Sequence, residues 1–305
     1  MSKVFRLKVE EKEVGGFKTK LFFLDKFIIG IPTEIGPRIL YFASTEKPEF
    51  NLFGVLPDVG MQTSEGFWRV YGGHRLWSSP EAKPRSYSLD NKPVKIETDK
   101  ETVTVHGNPE TANSVQKTIS IRPHPKGGIQ VIHTIRNIGR WPITLACWAL
   151  SVMKPKGFAI IPIRSSKVDE EGLLPDRHIT IWPYTDLSDK RLTFTNDFIF
   201  IGQDPEAGSP VKIGTMANPS WTAYWVEGVA FVKEFQKKEG EYPDFGCNVE
   251  VYTNANMLEL ETLGPLQTLE PNDTIRHTEI WRIFDVGELT PTSEKIKGNL
   301  EPLIG

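Results

Sequence analysis

Residues 248–265 read Asn-Val-Glu-Val-Tyr-Thr-Asn, then Ala-Asn, then Met-Leu-Glu-Leu-Glu-Thr-Leu-Gly-Pro. Apolar and polar residues alternate on both sides of the central Asn-Ala-Asn, which predicts two β-strands. In a strand over 257–263, Glu259 and Glu261 lie on one face and Leu258 and Leu260 on the other. Two carboxylates on one face raise the pKa of at least one of them, which suits proton transfer. A solvated outer face would show the same alternation, so the pattern alone leaves both interpretations open.

The rest of the chain predicts an all-β protein with few short helices. Turn-forming residues, among them 25 Gly and 23 Pro, are spread along the whole length. One short helix is predicted near residues 65–70. No repeat, low-complexity linker or composition shift divides the chain, so we predict one domain over residues 1–305, a sandwich of large antiparallel sheets. The clearest further strand predictions are 19–23, 94–97, 103–106, 116–121, 130–135, 198–201 and 278–283.

Charge and composition exclude several classes of function. The 305 residues contain 36 basic and 39 acidic side chains, a net charge of −3, and the two signs are interspersed. Neither a nucleic-acid surface nor a membrane surface is expected from this balance. Cys147 and Cys247 are too few for a disulfide framework and are predicted to be buried free thiols. The first residues, MSKVFRLKVEEKEV, form no apolar signal segment, so a cytoplasmic location is expected.

A glycine-rich segment at 71–77, Tyr-Gly-Gly-His-Arg-Leu-Trp, is a candidate binding site. Paired glycines allow unusual backbone angles and the close approach of a ligand. His74 supplies a titratable group, Arg75 a planar set of donors and Trp77 a stacking surface. A turn in which His74 and Arg75 cap backbone carbonyls fits the spacing equally well.

A second candidate segment combines aromatic rings with carboxylates at 181–189. Trp182 and Tyr184 could pack on the apolar face of a sugar, and Asp186 could accept hydrogen bonds from hydroxyl groups. A packed loop in which Asp186 makes a local turn explains the same residues. Lys212, with Arg75 and Lys233, could meet an anionic substrate or could be an ordinary surface charge.

These motifs resemble those of the aldose 1-epimerases, or galactose mutarotases. The similar pieces are Tyr-Thr-Asn at 252–254, Leu-Glu-Thr at 260–262, and Leu-Glu-Pro-Asn-Asp at 269–273, followed by a closing strand at 277–284. The resemblance implies a galactose-mutarotase-like supersandwich. It also implies that Glu261 is the general base that removes the proton of the anomeric hydroxyl. Arg75 resembles a sugar-binding arginine of that family.

The chain departs from the family at the general acid. Mutarotases carry this acid as a histidine in an Asn-His-x-Tyr-Phe strand, and the comparable stretch here, 143–150, has no histidine. Either His74 acts as the acid from another direction, or the protein binds a sugar without interconverting its anomers. Under either alternative the candidate sugar-binding residues are Arg75, Trp77, Trp182, Tyr184, Asp186, Lys212, Glu250 and Glu259.

The whole chain more closely resembles a mutarotase-like family of bacteria and archaea that has no assigned reaction. The similar pieces lie at 72–77, 182–186, 242–247 and 259–265. Two functions therefore stay open: an acid/base enzyme such as a sugar 1-epimerase, and a carbohydrate-binding or sensing protein. The remaining histidines match no zinc signature, and no nucleotide or dinucleotide motif occurs, so no metal or cofactor is expected. The expected partner is a small carbohydrate, and the oligomeric state is left open.

Overall fold

The computed structural model describes residues 7–304, and strands make up most of them. Strand content is about 51% and helix content about 6%, against roughly 20–25% strand in average proteins. The all-β prediction is therefore confirmed. The described strands are β1 (Lys8–Val14), β2 (Phe17–Leu24), β3 (Phe27–Pro32), β4 (Arg38–Ile39), β5 (Tyr41–Ser44), β6 (Val55–Thr63), β7 (Gly66–Gly72), β8 (His74–Ser79), β9 (Lys95–Asp99), β10 (Thr102–His106), β11 (Val115–Pro123), β12 (Ile129–Asn137), β13 (Ile143–Val152), β14 (Phe158–Pro162), β15 (Thr180–Ile181), β16 (Leu192–Phe194), β17 (Phe198–Gly202), β18 (Val211–Thr215), β19 (Trp221–Val226), β20 (Val229–Phe235), β21 (Val249–Thr253), β22 (Leu258–Leu263), β23 (Gln267–Leu269) and β24 (Thr274–Asp285).

Two large antiparallel sheets form the sandwich. The first has ten strands in the order β16-β17-β14-β19-β20-β24-β12-β11-β10-β9. The second has eight strands, in the order β15-β18-β21-β22-β13-β8-β4, with β23 pairing to β13. A four-stranded sheet, β1-β2-β3-β5, and the separate β6–β7 hairpin complete the fold. Neighbouring strands in the sheets are often distant in sequence, as where β8 pairs with β13 and β13 with β22.

The main core lies between the two large sheets. Alternate residues of their strands meet there, for example Ile119 and Val131 of the ten-stranded sheet and Val251 and Leu260 of the eight-stranded one. Burial of such apolar side chains is the dominant favourable contribution to folding. The same cluster contains side chains from Phe22 to Trp281. The assignment of residues 1–305 to one domain remains a prediction.

Helices are few and short, as predicted. A 3₁₀ turn occupies Arg85–Tyr87, a four-residue turn occupies Pro243–Gly246, and two helices at Ser293–Asn299 and Glu301–Ile304 end the described chain. The C-terminal helices pack on the outer face of the ten-stranded sheet through Ile296 and its neighbours. None of the helices in residues 7–304 has the length and apolar character needed to cross a membrane.

The helix predicted at residues 65–70 is wrong, because this segment is strand β7. It pairs with β6 in a hairpin, with Met61 opposite Trp68 and Thr63 opposite Gly66. Aromatic and β-branched residues at 67, 68 and 70 fit a pleated strand better than a helix. The hairpin covers part of the eight-stranded sheet and positions Trp68 over it.

Candidate functional site

A cleft of about 390 Å³ lies on the outer face of the eight-stranded sheet. Its floor is formed by the central strands of that sheet, and the β6–β7 hairpin and the loops around Tyr87 and Trp182 form its walls. Pockets of roughly 300–1,000 Å³ with a few polar groups among aromatic walls are typical small-molecule sites. This cleft is therefore the candidate binding site.

Strand alternation places the two glutamates of β22 in the cleft. Glu259 and Glu261 line it, whereas Leu258 and Leu260 point into the core on the opposite face of the sheet. This is the arrangement expected from the sequence. The catalytic role of Glu261 stays a prediction, because its position alone does not test it.

Glu261 is completely buried at the floor of the cleft. Its Oε2 accepts a 2.7 Å hydrogen bond from Trp148 Nε1 and a 3.1 Å bond from Lys212 Nζ. Its Oε1 has no hydrogen-bond partner in the protein. Burial raises the pKa of Glu261 above its ordinary value, and Lys212 offsets part of the rise. A buried carboxylate oxygen without a partner is suited to accept a hydrogen bond from a ligand.

Lys212 on β18 joins two glutamates of adjacent strands. Its Nζ lies 2.7 Å from Glu250 Oε2 and 3.1 Å from Glu261 Oε2, and the two glutamates face each other in the β21–β22 register. Burial alone would lower the pKa of Lys212, but the two carboxylates raise it well above its ordinary value. Its ammonium group also lies 4.6 Å from the ring centres of both Trp148 and Trp182.

Glu250 lies behind Lys212 and is not part of the cleft wall. Its side chain is fully buried, and it is not among the residues that line the cavity. Its predicted role as a direct sugar ligand therefore does not agree with the structure. Burial raises the pKa of Glu250 well above its ordinary value, with Lys212 opposing the rise. Glu250 can affect a bound ligand only through Lys212.

Arg75 occupies the other end of the floor, on β8. Its Nη2 lies 2.8 Å from Glu259 Oε1. The guanidinium group lies 4.6 Å from the ring centre of Trp77 and 5.7 Å from that of Trp68. Arg75 is 3% exposed, yet Nε and Nη1 have no hydrogen-bond partner in the protein. These two donors are buried and unpaired within the protein.

The predicted aromatic residues also reach the cleft, whereas Asp186 does not. Trp77, Trp182 and Tyr184 all line the cavity. Asp186 is exposed outside it, and its Oδ1 accepts hydrogen bonds from the backbone N–H and hydroxyl of Ser188. The structure therefore does not bring Asp186 to the predicted sugar site, and its carboxylate stabilises the local turn instead.

The structure contradicts the predicted role of His74 as general acid. His74 begins β8 and is fully buried, pointing away from the cleft that the adjacent Arg75 lines. Its Nδ1 lies 2.8 Å from Ser151 Oγ and its Nε2 lies 2.7 Å from His133 Nε2. None of the described residues that line the cleft is a histidine.

Gly72 and Gly73 fix the position at which β8 begins. Both have positive φ angles, 85° and 66°. A Cβ atom on Gly72 would lie 2.1 Å from Gly54 O, and one on Gly73 would lie 2.1 Å from Ile39 O. The glycines therefore serve close backbone packing rather than the approach of a ligand.

His74 belongs to a polar network in the core that joins the two large sheets. His133 Nδ1 donates to the carbonyl of His277, which leaves His133 Nε2 to accept from His74 Nε2 and His74 Nδ1 to accept from Ser151. Across the same layer, Lys233 Nζ lies 3.1 Å from Glu279 Oε1. These bonds are mutually consistent when the imidazoles of His74 and His133 are both neutral.

The same network contains one possible group of metal ligands within residues 7–304. Ligand atoms of His74, His133 and Glu279 lie within 4.8 Å of one another. However, the 2.7 Å between the two Nε2 atoms is shorter than the ~3.3 Å that separates two nitrogens bound to tetrahedral zinc. Lys233 already supplies positive charge to Glu279. The group is therefore better described as a hydrogen-bond network than as a metal site.

The buried histidines predict an acid-sensitive fold. Burial lowers the pKa of His133 to about 4 and that of His277 to about 3, whereas an unfolded histidine titrates near ~6.5. As the pH falls from about 6.5 toward 4, the unfolded chain binds protons that the native state does not. We therefore expect the free energy of unfolding to fall by about 1.4 kcal/mol per pH unit for each such histidine.

Urea denaturation at pH 7.5, 6.5 and 5.5 measures the slope of the free energy of unfolding against pH. His277→Gln should reduce the slope by about one histidine's share, even though it lowers stability at every pH. His178→Gln, at an exposed position, should leave it unchanged. A pH slope in His277→Gln equal to that of the native protein would contradict the assignment of a neutral imidazole at this position.

Comparisons with known proteins agree with this architecture. No protein-family model matches the chain, and no curated protein matches it in sequence. Solved structures of galactose mutarotase-like proteins superpose on most of the chain. The protein has the galactose-mutarotase-like fold.

Three of the similar structures show the extent of the match. A galactose mutarotase-like protein from Lactobacillus casei has a TM-score of 0.54 at 11% identity, covering 91% of this chain and 100% of its own. A candidate aldose 1-epimerase from Klebsiella pneumoniae has a TM-score of 0.55 at 13% identity, covering 91% and 83%. A TPR-domain containing protein from Parabacteroides distasonis has a TM-score of 0.59 at 14% identity, covering 91% of this chain and 48% of its own. This chain thus spans about half of that last protein, and identities this low establish the fold alone.

Proposed function

We propose that the protein binds a pyranose sugar in the cleft on the eight-stranded sheet. The observation that carries the proposal is the set of buried polar atoms without partners, Glu261 Oε1 with Arg75 Nε and Nη1, on a floor surrounded by aromatic rings. A sugar offers hydroxyl groups that both donate to carboxylates and accept from a guanidinium group. Its apolar C–H face packs on flat aromatic rings.

Aromatic side chains of the cleft supply stacking surfaces, and the charged groups of the floor supply hydrogen bonds. Trp182 and Tyr184 lie on one loop and Trp77 on the floor strand β8, so that stacking surfaces surround the polar groups. Arg75 and Lys212 are held by ion pairs with Glu259 and Glu261. A floor that is ordered before binding spares the ligand the entropic cost of arranging it.

A second candidate function is 1-epimerase chemistry at the same site, with Glu261 as general base. Glu261 would remove the proton of the anomeric hydroxyl while the ring oxygen gains a proton, the ring opens, and it closes again on the other face of C1. The unpartnered Oε1 and the raised pKa of Glu261 favour this role.

Sugar binding stands first because the cleft offers no histidine as the acid. Lys212 lines the cleft, but its raised pKa makes it a weak proton donor. Burial also raises the pKa of Tyr184. An epimerase in this cleft would therefore depend on Arg75 and Lys212 to stabilise the developing charge on the ring oxygen electrostatically.

Sugar binding predicts a change in tryptophan fluorescence on titration with neutral aldoses. Trp182→Ala removes a stacking wall and should raise the dissociation constant by about two- to tenfold, in line with roughly 0.5–1.5 kcal/mol for an aromatic contact. Trp141→Ala is the matched control, because Trp141 is 78% exposed and outside the cleft. The proposal fails if no aldose changes the fluorescence or the heat of mixing at millimolar concentration.

A further inference from the structure

The charges of the cleft are unequal, and carboxylates predominate. Among the residues that line it, Glu81, Glu259 and Glu261 are acidic, and Arg75 and Lys212 are basic. Glu250 adds a further carboxylate directly behind Lys212. The site therefore holds more acidic than basic groups before any ligand enters.

Both cations of the cleft are already engaged by carboxylates. Lys212 is shared between two glutamates at 2.7 and 3.1 Å, and Arg75 pairs with Glu259 at 2.8 Å. Lys233, the third cation that the sequence offered to an anionic substrate, lies in the core against Glu279 and cannot reach the cleft. No cation among the described residues lining the cleft is left without an acidic partner.

Resting on the proposed sugar site, we infer that the cleft selects sugars that carry no acidic group and discriminates against uronates and sugar phosphates. An added carboxylate or phosphate would lie near the buried carboxylates of Glu259 and Glu261, with Glu81 at the exposed rim. Like charges brought together at such a site oppose binding strongly. The free N–H groups of Arg75 suit hydroxyl oxygens, because Glu259 already balances the guanidinium charge.

Glu259 is the residue that sets this selectivity. It lies beside Arg75 on the floor, so its removal both deletes a negative charge and frees the guanidinium group to pair with an acidic ligand. Arginine binds carboxylate and phosphate groups through paired N–H donors, an arrangement that Glu259 hinders in the native protein.

The test is calorimetric titration with galactose, galacturonate, glucose and glucose 6-phosphate at pH 7.5 and constant ionic strength. Each acidic sugar should bind at least about tenfold more weakly than its neutral parent. In Glu259→Gln the ratio of the two dissociation constants should shift by about tenfold or more toward the acidic sugar. Glu239→Gln is the control, since it removes the same charge from an exposed position outside the cleft.

Each outcome bears on one of the two proposals. Acidic sugars that bind as tightly as their neutral parents overturn the inference and leave sugar binding intact. The inference is also overturned if Glu259→Gln leaves the ratio of the two dissociation constants unchanged. The shape of the cleft, and not its charge, would then explain the selectivity. If Glu259→Gln fails to fold, Glu81→Gln at the exposed rim should shift the ratio in the same direction. Failure of every sugar to bind contradicts the proposed function and, with it, this inference.

Discussion

Lys212→Met is expected to lower the free energy of unfolding by about 3–5 kcal/mol, the usual cost of removing one partner from a buried ion pair. The substitution keeps an unbranched side chain that is only one atom shorter but leaves Glu250 and Glu261 fully buried without their common cation. Urea denaturation of the variant and the native protein at pH 7.5 measures the loss. Sugar affinity should fall with it, because the floor of the cleft loses its order.

The loss of unfolding free energy in Lys212→Met should also depend on pH, which provides a second check of the role of Lys212. Burial already raises the pKa of both glutamates, and loss of Lys212 raises these pKa values further. The folded variant therefore keeps these protons to a higher pH than the folded native protein does. Its stability relative to the native protein should decrease as the pH rises through the raised pKa values that the two glutamates have in the native protein. Lys297→Met breaks an exposed pair with Asp197 and should cost no more than about 1 kcal/mol. Equal losses in the two variants would contradict a structural role for the buried cluster.

Glu261→Gln is expected to lower any catalysed exchange of anomers by roughly 10²–10⁴-fold, the usual contribution of a general base. Glutamine has the same shape but cannot take up the proton of the anomeric hydroxyl. The dissociation constant of the sugar should change far less, because the interaction with the base matters mainly in the transition state. Magnetisation-transfer NMR between the two anomers measures the exchange rate, and calorimetry measures the binding.

The result for the native protein separates the two candidate functions. Exchange at the uncatalysed rate in the presence of bound galactose, glucose and their derivatives would leave sugar binding as the function and exclude 1-epimerase activity for those sugars. Glu239→Gln, exposed and outside the cleft, should behave like the native protein. A comparable loss of exchange in that control would show that the effect of Glu261→Gln is not specific to the cleft.

The sequence predicted most of the strands because their pattern is local. Alternating apolar and polar residues bounded by turn residues mark segments such as 116–121 and 249–253, and all of the predicted strands are found. The one predicted helix, at 65–70, failed because six residues are too few to distinguish a period of 3.6 from a period of 2. Pairing with β6 makes this segment a strand, and that pairing depends on residues outside the segment.

Trp148 is a site residue that sequence reasoning missed. It lies on β13 opposite Trp77, donates to Glu261 and lines the cleft. The stretch 143–150 drew attention only because it lacks a histidine. The available signal was that Trp148 lies opposite cleft-facing positions of the neighbouring strands. This signal can be used only when the order of the strands is known.

By itself the sequence determined the all-β class, the positions of most strands and the shared face of Glu259 and Glu261, because these follow from composition and from a two-residue period along one strand. Only the tertiary structure decided which face of each strand meets the cleft. His74 and Arg75 are adjacent in β8, so one must point into the core when the other lines the cleft, and packing between the sheets made His74 the buried one. The pairing of Lys212 with Glu250 and Glu261 likewise depends on the order and register of three strands, which no local pattern encodes.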